Sequence, residues 1–236
     1  MLLQYISDEK LYDCVNYVIK STEKAANNKE KTFFKNVIDP FSAVFDCIIN
    51  DIDLTTWLKL EKTRQIQKTL QNAIGEFHQK VIGSVDGWKD FGTGNVVDLQ
   101  NKEKKIIAEI KNKFNTTKGN HKISIYDDLK LKLNESEYAG YTGYYVEILR
   151  QNKNKYNKPF CPPDNKTKKN RPEHPRIKVI DGESFYDLAT GTDDALLKLY
   201  MVLPEIICKL RKSQIKVDNY QPLFKKAFHK EFDSPS

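Results

Sequence analysis

Residues 94–120, GNVVDLQNKEKKIIAEIKNKFNTTKGN, are the stretch whose reading decides the fold. They divide into two short apolar runs, 95–99 and 105–112, joined by a charged turn at 100–104. Ile106, Ile107, Ala108 and Ile110 are rich in β-branched side chains and are free of Gly and Pro, as a half-buried strand requires. Alternation along that strand puts Glu109 and Lys111 on one face and Ile106, Ala108 and Ile110 on the other. On the first run Val97 and Leu99 point one way, Val96 and Asp98 the other. If the runs pair as a hairpin, Asp98 meets Glu109 and Lys111 on one surface. Two carboxylates beside an ammonium make a seat for Mg²⁺, which takes oxygen ligands and shares its shell with substrate phosphate. There a water is activated and the charge developing on the phosphate is neutralised. The competing reading is a surface hairpin, with Glu109 and Lys111 as exposed strand residues beside a chance aspartate, since these residue types are common. Strand context, the apolar flank IIAEI and basic surroundings favour the catalytic reading.

The spacing of Asp98 from Glu109-Ile110-Lys111 resembles the PD-(D/E)xK nuclease core, with Val97 where the motif's name expects proline. More narrowly, EIKNKFNTTKG (109–119) and IDPFSAVF (38–45) are similar to type II restriction endonucleases that recognise GGNCC. Overall length and segment order also fit, so the resemblance covers most of the chain. It implies an α/β, restriction-endonuclease-like fold, with a small mixed sheet flanked by helices. It implies Mg²⁺-dependent hydrolysis of double-stranded DNA at a short palindrome, leaving a 5′-phosphate. Asp98, Glu109 and Lys111 would be catalytic; Asp98 and Glu109 would hold Mg²⁺, with Glu76 from the preceding helix as a third ligand. The competing reading of Glu76 is a solvated helix glutamate. A palindrome implies a two-fold homodimer, one subunit per half-site. A cognate DNA methyltransferase would act on the same site without needing to bind this chain.

Composition is compatible with that reading. A chain of 236 residues, 39% hydrophobic and 30% charged, suits one endonuclease domain with room for a core. Its parts are a helical segment (1–83), the catalytic sheet (84–150), a basic DNA-recognition loop (151–178) and a helical C-terminal part (179–236). The net charge of +7 favours a polyanionic partner. Cys14, Cys47, Cys161 and Cys208 are scattered, which argues for free thiols and against zinc. With no long apolar run and no leader pattern at the N-terminus, the expected location is the cytoplasm of a prokaryotic cell, with no membrane partner.

Along the chain, a helix is expected from Ser7 or Asp8 to Ala26. A second starts at Asp39-Pro40 with the stripe Phe41, Val44, Phe45 and Ile48, and a long third runs from Asp53 or Thr55 to about Val81; all three stripes read as core. His78 reads as structural. Asp90 is second choice for the strand acid because GWKDFGTG looks like loop. A helix at 124–137, a central strand at 140–149 and another strand at 176–180 follow. A short helix spans 183–189, and a longer one, capped by Thr192, extends to about Lys212 with Pro204 kinking it.

The segment from Arg150 to Lys178 holds ten Lys/Arg, two acids and five prolines. Candidate DNA contacts there are Lys166, Lys168 and Lys169 to phosphates, with Arg171 or Arg176 reading guanine edges. Lys113, Asn115, Thr116 and Lys118 are further candidates beside the hairpin. Charge runs are usually solvated loops, and the competing reading is that. Two other functions stay open: a structure-specific repair or junction nuclease on the same core, and a DNA-binding protein without catalysis.

Overall fold

In the computed structural model the described residues are all except 28–32, 35, 37, 93, 152–153, 165–166, 216, 218–219, 230–236 and the side chain of His229. They fall into two compact units, Met1–Val15 with His78–Ser236, and Asn16–Phe77.

The larger unit is built on a mixed six-stranded sheet in the order β1-β2-β3-β4-β8-β5. The strands are β1 (Trp88–Asp90), β2 (Leu99–Asn101), β3 (Ile106–Lys113), β4 (Thr142–Leu149), β5 (Asn157–Pro159) and β8 (Ile177–Asp181). The first three form an antiparallel meander, β3, β4 and β8 are mutually parallel, and β5 returns antiparallel on the edge. Parallel neighbours need helical crossovers. Between β3 and β4 runs helix α4 (Gly119–Asn134), whose Ile125, Tyr126, Leu129 and Leu133 are buried. They meet Ile107, Tyr145, Ile177 and Val179 from one face of the sheet, with Val97 and Phe160 closing the cluster. After β8, α5 (Gly182–Thr190) packs the other way, its Phe185 ring against Tyr144 of β4 and Trp88 of β1. Asp181 caps α5 by accepting from Ser184 N–H. Gly182 is required here: a Cβ would lie 2.5 Å from the Ile148 carbonyl oxygen. Helix α6 (Ala195–Arg211), with Pro204 inside it, and α7 (Tyr220–His229) complete the unit.

Several sequence expectations shift. The first hairpin strand is Leu99–Asn101, not 95–99; residues 94–98 are bends and turns, with Gly94 at φ +93°. The connecting turn is 102–105, closed by Lys105 in the left-handed region. Trp88–Asp90 is a strand rather than loop, held by buried Trp88, whose Nε1–H donates to the Ala189 carbonyl at 3.1 Å. The helix expected at 124–137 begins at Gly119, and α6 is preceded by Asp194, not capped by Thr192. The basic segment carries β5 and a two-stranded ribbon, β6 (Pro163–Asp164) with β7 (Lys169–Asn170). Phe160 anchors its middle, buried and stacked on Tyr145 at 4.7 Å.

Helices α1 (Asp8–Ala26) and α3 (Leu54–Gly83) and the ten-residue α2 (Pro40–Ile49) lie where the sequence places them. The stripe on α2 departs from expectation: Phe41, Val44, Phe45 and Ile48 are exposed, not core, and Leu60 on α3 is exposed as well. No described helix is long and apolar enough to cross a membrane.

Candidate active site

Asp98 arrives from the bend leading into β2. Its amide donates to the Ala108 carbonyl at 3.0 Å and its carbonyl accepts from Phe91 N–H at 2.9 Å, so its backbone is pinned on both sides. Its Oδ2 accepts from the Ile110 amide at 2.7 Å. Glu109 and Lys111 share one face of β3, and Lys111 Nζ donates to Glu109 Oε1 at 2.6 Å. Their side chains are 13% and 27% exposed. The Asp98 and Glu109 carboxyls lie close enough to influence each other's ionisation. The three side chains named from the sequence are thus in one place.

Burial pushes the Glu109 carboxyl up to about 7, with the Asp98 charge adding to the rise and Lys111 opposing it. Burial also raises Asp98, while the Ile110 amide and Lys111 pull it back and Asp90 adds a smaller push upward. Two carboxyls that resist joint ionisation mark a spot short of positive charge. Both donors are hard oxygens, of the kind a divalent cation such as Mg²⁺ takes. Among the described residues no three His, Cys, Asp or Glu side chains form a metal-holding group. A cation that keeps several waters and takes phosphate oxygens needs only one or two carboxylates, so the donor pair fits.

Glu76, the proposed third ligand, lies on α3 in the Asn16–Phe77 unit, where its carboxylate accepts from the Tyr17 hydroxyl. Asp90, the rival acid, accepts from Gln79 Nε2 and the Gly92 amide, each at 2.7 Å. His78 is half-buried, with a ring nitrogen 2.8 Å from the Tyr186 hydroxyl, and desolvation lowers it to about 4. It is a neutral core histidine.

The β3–β4 register adds groups that the sequence reading passed over. Glu109 pairs with Tyr145 and Lys111 with Glu147, so all four project from the same face. Glu147 is 6% exposed, and its two oxygens accept from Lys122 Nζ (2.7 Å) and the Tyr156 hydroxyl (2.5 Å). Lys122 Nζ also lies 5.4 Å from the Tyr145 ring centroid. The available signal was the two-residue spacing of Tyr145 and Glu147 within an otherwise apolar strand.

The candidate DNA contacts divide. Asn115, Thr116 and Lys118 are exposed in the loop between β3 and α4, and Lys113 is half-buried at the end of β3. The Thr116 hydroxyl donates to the Lys113 carbonyl at 2.7 Å, which fixes the turn. Lys168 and Lys169 are exposed on the β6–β7 ribbon, and Lys166 lies outside the described residues. The two arginines have protein partners. Arg171 holds Asp127 at 2.5 Å and Asp164 at 3.5 Å. Arg176 donates to the carbonyls of Leu133, Tyr138 and Tyr141, closing the C-terminal end of α4.

The Eco47II restriction endonuclease family profile matches residues 3–212. The chain is 40% identical over 233 residues to the type II restriction enzyme Eco47II of Escherichia coli, covering 98% of this chain and 97% of that protein. It is 34% identical over 206 residues to the type II restriction enzyme Sau96I of Staphylococcus aureus, covering 86% and 78%. Matches of that extent, on a mixed α/β fold with a carboxylate–lysine cluster at its hairpin, leave one assignment: the chain belongs to the Eco47II family of type II restriction endonucleases, site-specific deoxyribonucleases that act on double-stranded DNA.

Proposed function

We propose that this endonuclease hydrolyses both strands at a palindromic GGNCC site in a Mg²⁺-dependent reaction, leaving 5′-phosphate and 3′-hydroxyl ends. The observation that carries the proposal is the half-buried gathering of Asp98, Glu109 and Lys111 at the hairpin, the arrangement expected of a PD-(D/E)xK site. Asp98 and Glu109 would hold the metal. When bound, the cation supplies Lewis-acid stabilisation of the phosphate and a more acidic water. Lys111, already oriented by Glu109 at 2.6 Å, donates to the attacking water or to the charge that builds on the phosphate. The Ile110 amide, bonded to Asp98 Oδ2 at 2.7 Å, keeps that carboxylate aimed into the site.

Lys113, Asn115, Thr116 and Lys118 beside the hairpin, Lys168 and Lys169 on the ribbon, and Lys166 are the proposed backbone contacts. Base reading is assigned to Arg171 or Arg176, which requires either guanidinium to leave protein partners that the free enzyme gives it. The chain acts as one endonuclease domain, pairs with a second copy on the palindrome, and works in the cytoplasm of a prokaryotic cell whose methyltransferase protects the same site.

Digestion of a fully sequenced, unmethylated plasmid with and without Mg²⁺ tests this reading. Discrete metal-dependent fragments ending at GGNCC are expected. Fragments ending at another sequence would remove the specificity, and cleavage that persists without divalent metal would remove the metal-dependent mechanism.

A further inference from the structure

Helix α2 presents its apolar side to solvent. Phe41, Val44, Phe45 and Ile48 recur at the spacing of a helix face that packs inward. Their exposures are 76%, 60%, 67% and 72%, and neighbouring Ile49 is 73% exposed. The inward side carries Ala43, 6% exposed, and Asp46, whose Oδ2 accepts from Trp57 Nε1–H at 3.1 Å. Asn50 Nδ2 donates to Asp46 Oδ1 at 2.6 Å, and Asp39 caps the helix by accepting from the Phe41 amide at 3.0 Å. Trp57 is itself buried, so the orientation is anchored rather than incidental. A soluble chain seldom leaves a patch of more than a few hundred Å² of apolar surface bare unless something covers it.

We infer that this face is covered by a second copy of the chain, docked α2 against α2 about a two-fold axis. The inference rests on the palindromic reading above: each copy carries one Asp98–Glu109–Lys111 site, and cutting both strands of a palindrome takes two. Area supports it. With ~150–250 Å² for a fully exposed aromatic side chain, the five residues offer roughly 600 Å² per copy, near the ~800 Å² each partner gives a standard interface.

Symmetry supports it as well. An antiparallel pair sets the Phe41 end of one stripe against the Ile48 end of the other, so one patch is complementary to itself. Charge excludes the other large ligand. Between Ile38 and Leu58 the chain has four aspartates and no Lys or Arg, in a protein of net charge +7. That surface repels DNA. Three of the aspartates also do structural work, Asp39 and Asp53 on helix-terminal amides and Asp46 on Trp57.

Sedimentation equilibrium of the wild type, Phe45→Glu and Ile48→Glu, with and without duplex DNA, tests the inference. The wild type is expected to be a dimer. Either glutamate should raise the dimer dissociation constant at least ~100-fold, because it buries a charge at the centre of the contact. At concentrations below the wild-type dissociation constant both variants should melt close to the wild type, since the substituted side chains are solvent-facing in the single chain. Leu131→Glu, at an exposed apolar residue on α4 (68%), is the control and should leave the mass unchanged. A reading without mutants comes from deuterium uptake by α2 in the wild type, which should fall as concentration rises through the dissociation constant. Dimers that persist in both variants, or form without protecting α2, overturn this face as the interface and leave the two-fold reading standing. A wild type that is monomeric with and without DNA, yet cuts both strands, overturns both.

Discussion

On the β3–β4 face, Glu109, Glu147 and Lys122 are held below the surface; on α2, Phe41, Phe45 and Ile48 stand above it. Each region reverses the usual rule of burial, in opposite senses. Buried charge is costly unless paired, and here it is paired: Lys111 with Glu109, Lys122 with Glu147. The exposed stripe has no such compensation among the described residues. The contrast is instructive because the first region fixes reactive groups in place, whereas the second is complete only with a partner. Activity should therefore depend on the first through chemistry and on the second through assembly.

The largest effect should come from Lys111. Lys111→Met should lower the cleavage rate at least ~10³-fold, about 4 kcal/mol of barrier, while DNA binding and dimer mass stay near wild type. A rate within tenfold of wild type would mean that the buried pair is structural.

Arg150 provides the structural counterpart. It is 1% exposed, bonded to Asp181 at 3.2 Å, to Glu183, and to the Phe228 carbonyl at 2.6 Å. Arg150→Met should cost about 3–5 kcal/mol in urea unfolding, because it leaves buried Asp181 without its cation and Glu183 with only Lys155 at 3.8 Å. A loss under ~1 kcal/mol would show that not every buried charge in this sheet matters to the fold.

His78 sharpens the comparison through pH. Its folded value, about 4, lies below the usual 6.5, so the unfolded chain binds the proton first. Stability from this residue is complete above pH 6.5 and declines as pH falls toward 4, by up to about 1.4 kcal/mol per pH unit. Glu109, raised to about 7, acts in the opposite sense, so the difference between wild type and His78→Gln isolates the histidine. That difference should shrink on acidification; parallel curves would contradict a ring held neutral by its surroundings.

The smallest effect belongs to the ribbon. Lys168→Ala and Lys169→Ala should each reduce the slope of log affinity against log salt by about 0.9 if each lysine neutralises one phosphate, with sequence preference unchanged. An unaltered slope would remove the ribbon from the DNA footprint.

Much of the fold was legible because period and composition agreed locally. IIAEIK read as a strand, 140–149 as central, and the Asp181-Gly182 pair as the junction between a strand and a helix. The cluster was legible for the same reason: strand alternation alone puts Glu109 and Lys111 together. What escaped the sequence depended on tertiary partners. Residues 95–98 have the look of a strand, yet Gly94 is in the left-handed region and only Leu99–Asn101 are in strand register with β3. Trp88–Asp90 looks like loop until the Ala189 carbonyl and β2 hold it. Arg171 and Arg176 read as free cations because Asp127 and the carbonyls of α4 are distant in sequence. For α2 the stripe was seen correctly but its direction was not: periodicity identifies an apolar face without saying what covers it.

The most direct test of the account is cleavage of a supercoiled plasmid carrying a single GGNCC site by wild type and Glu109→Gln in Mg²⁺. The substitution keeps the shape of the side chain and removes the charge that Asp98 and Lys111 face. The account predicts linear product from the wild type and intact supercoil from an equally folded, DNA-binding variant. Linear product at the wild-type rate from Glu109→Gln would contradict it, and would place the active site elsewhere in the chain.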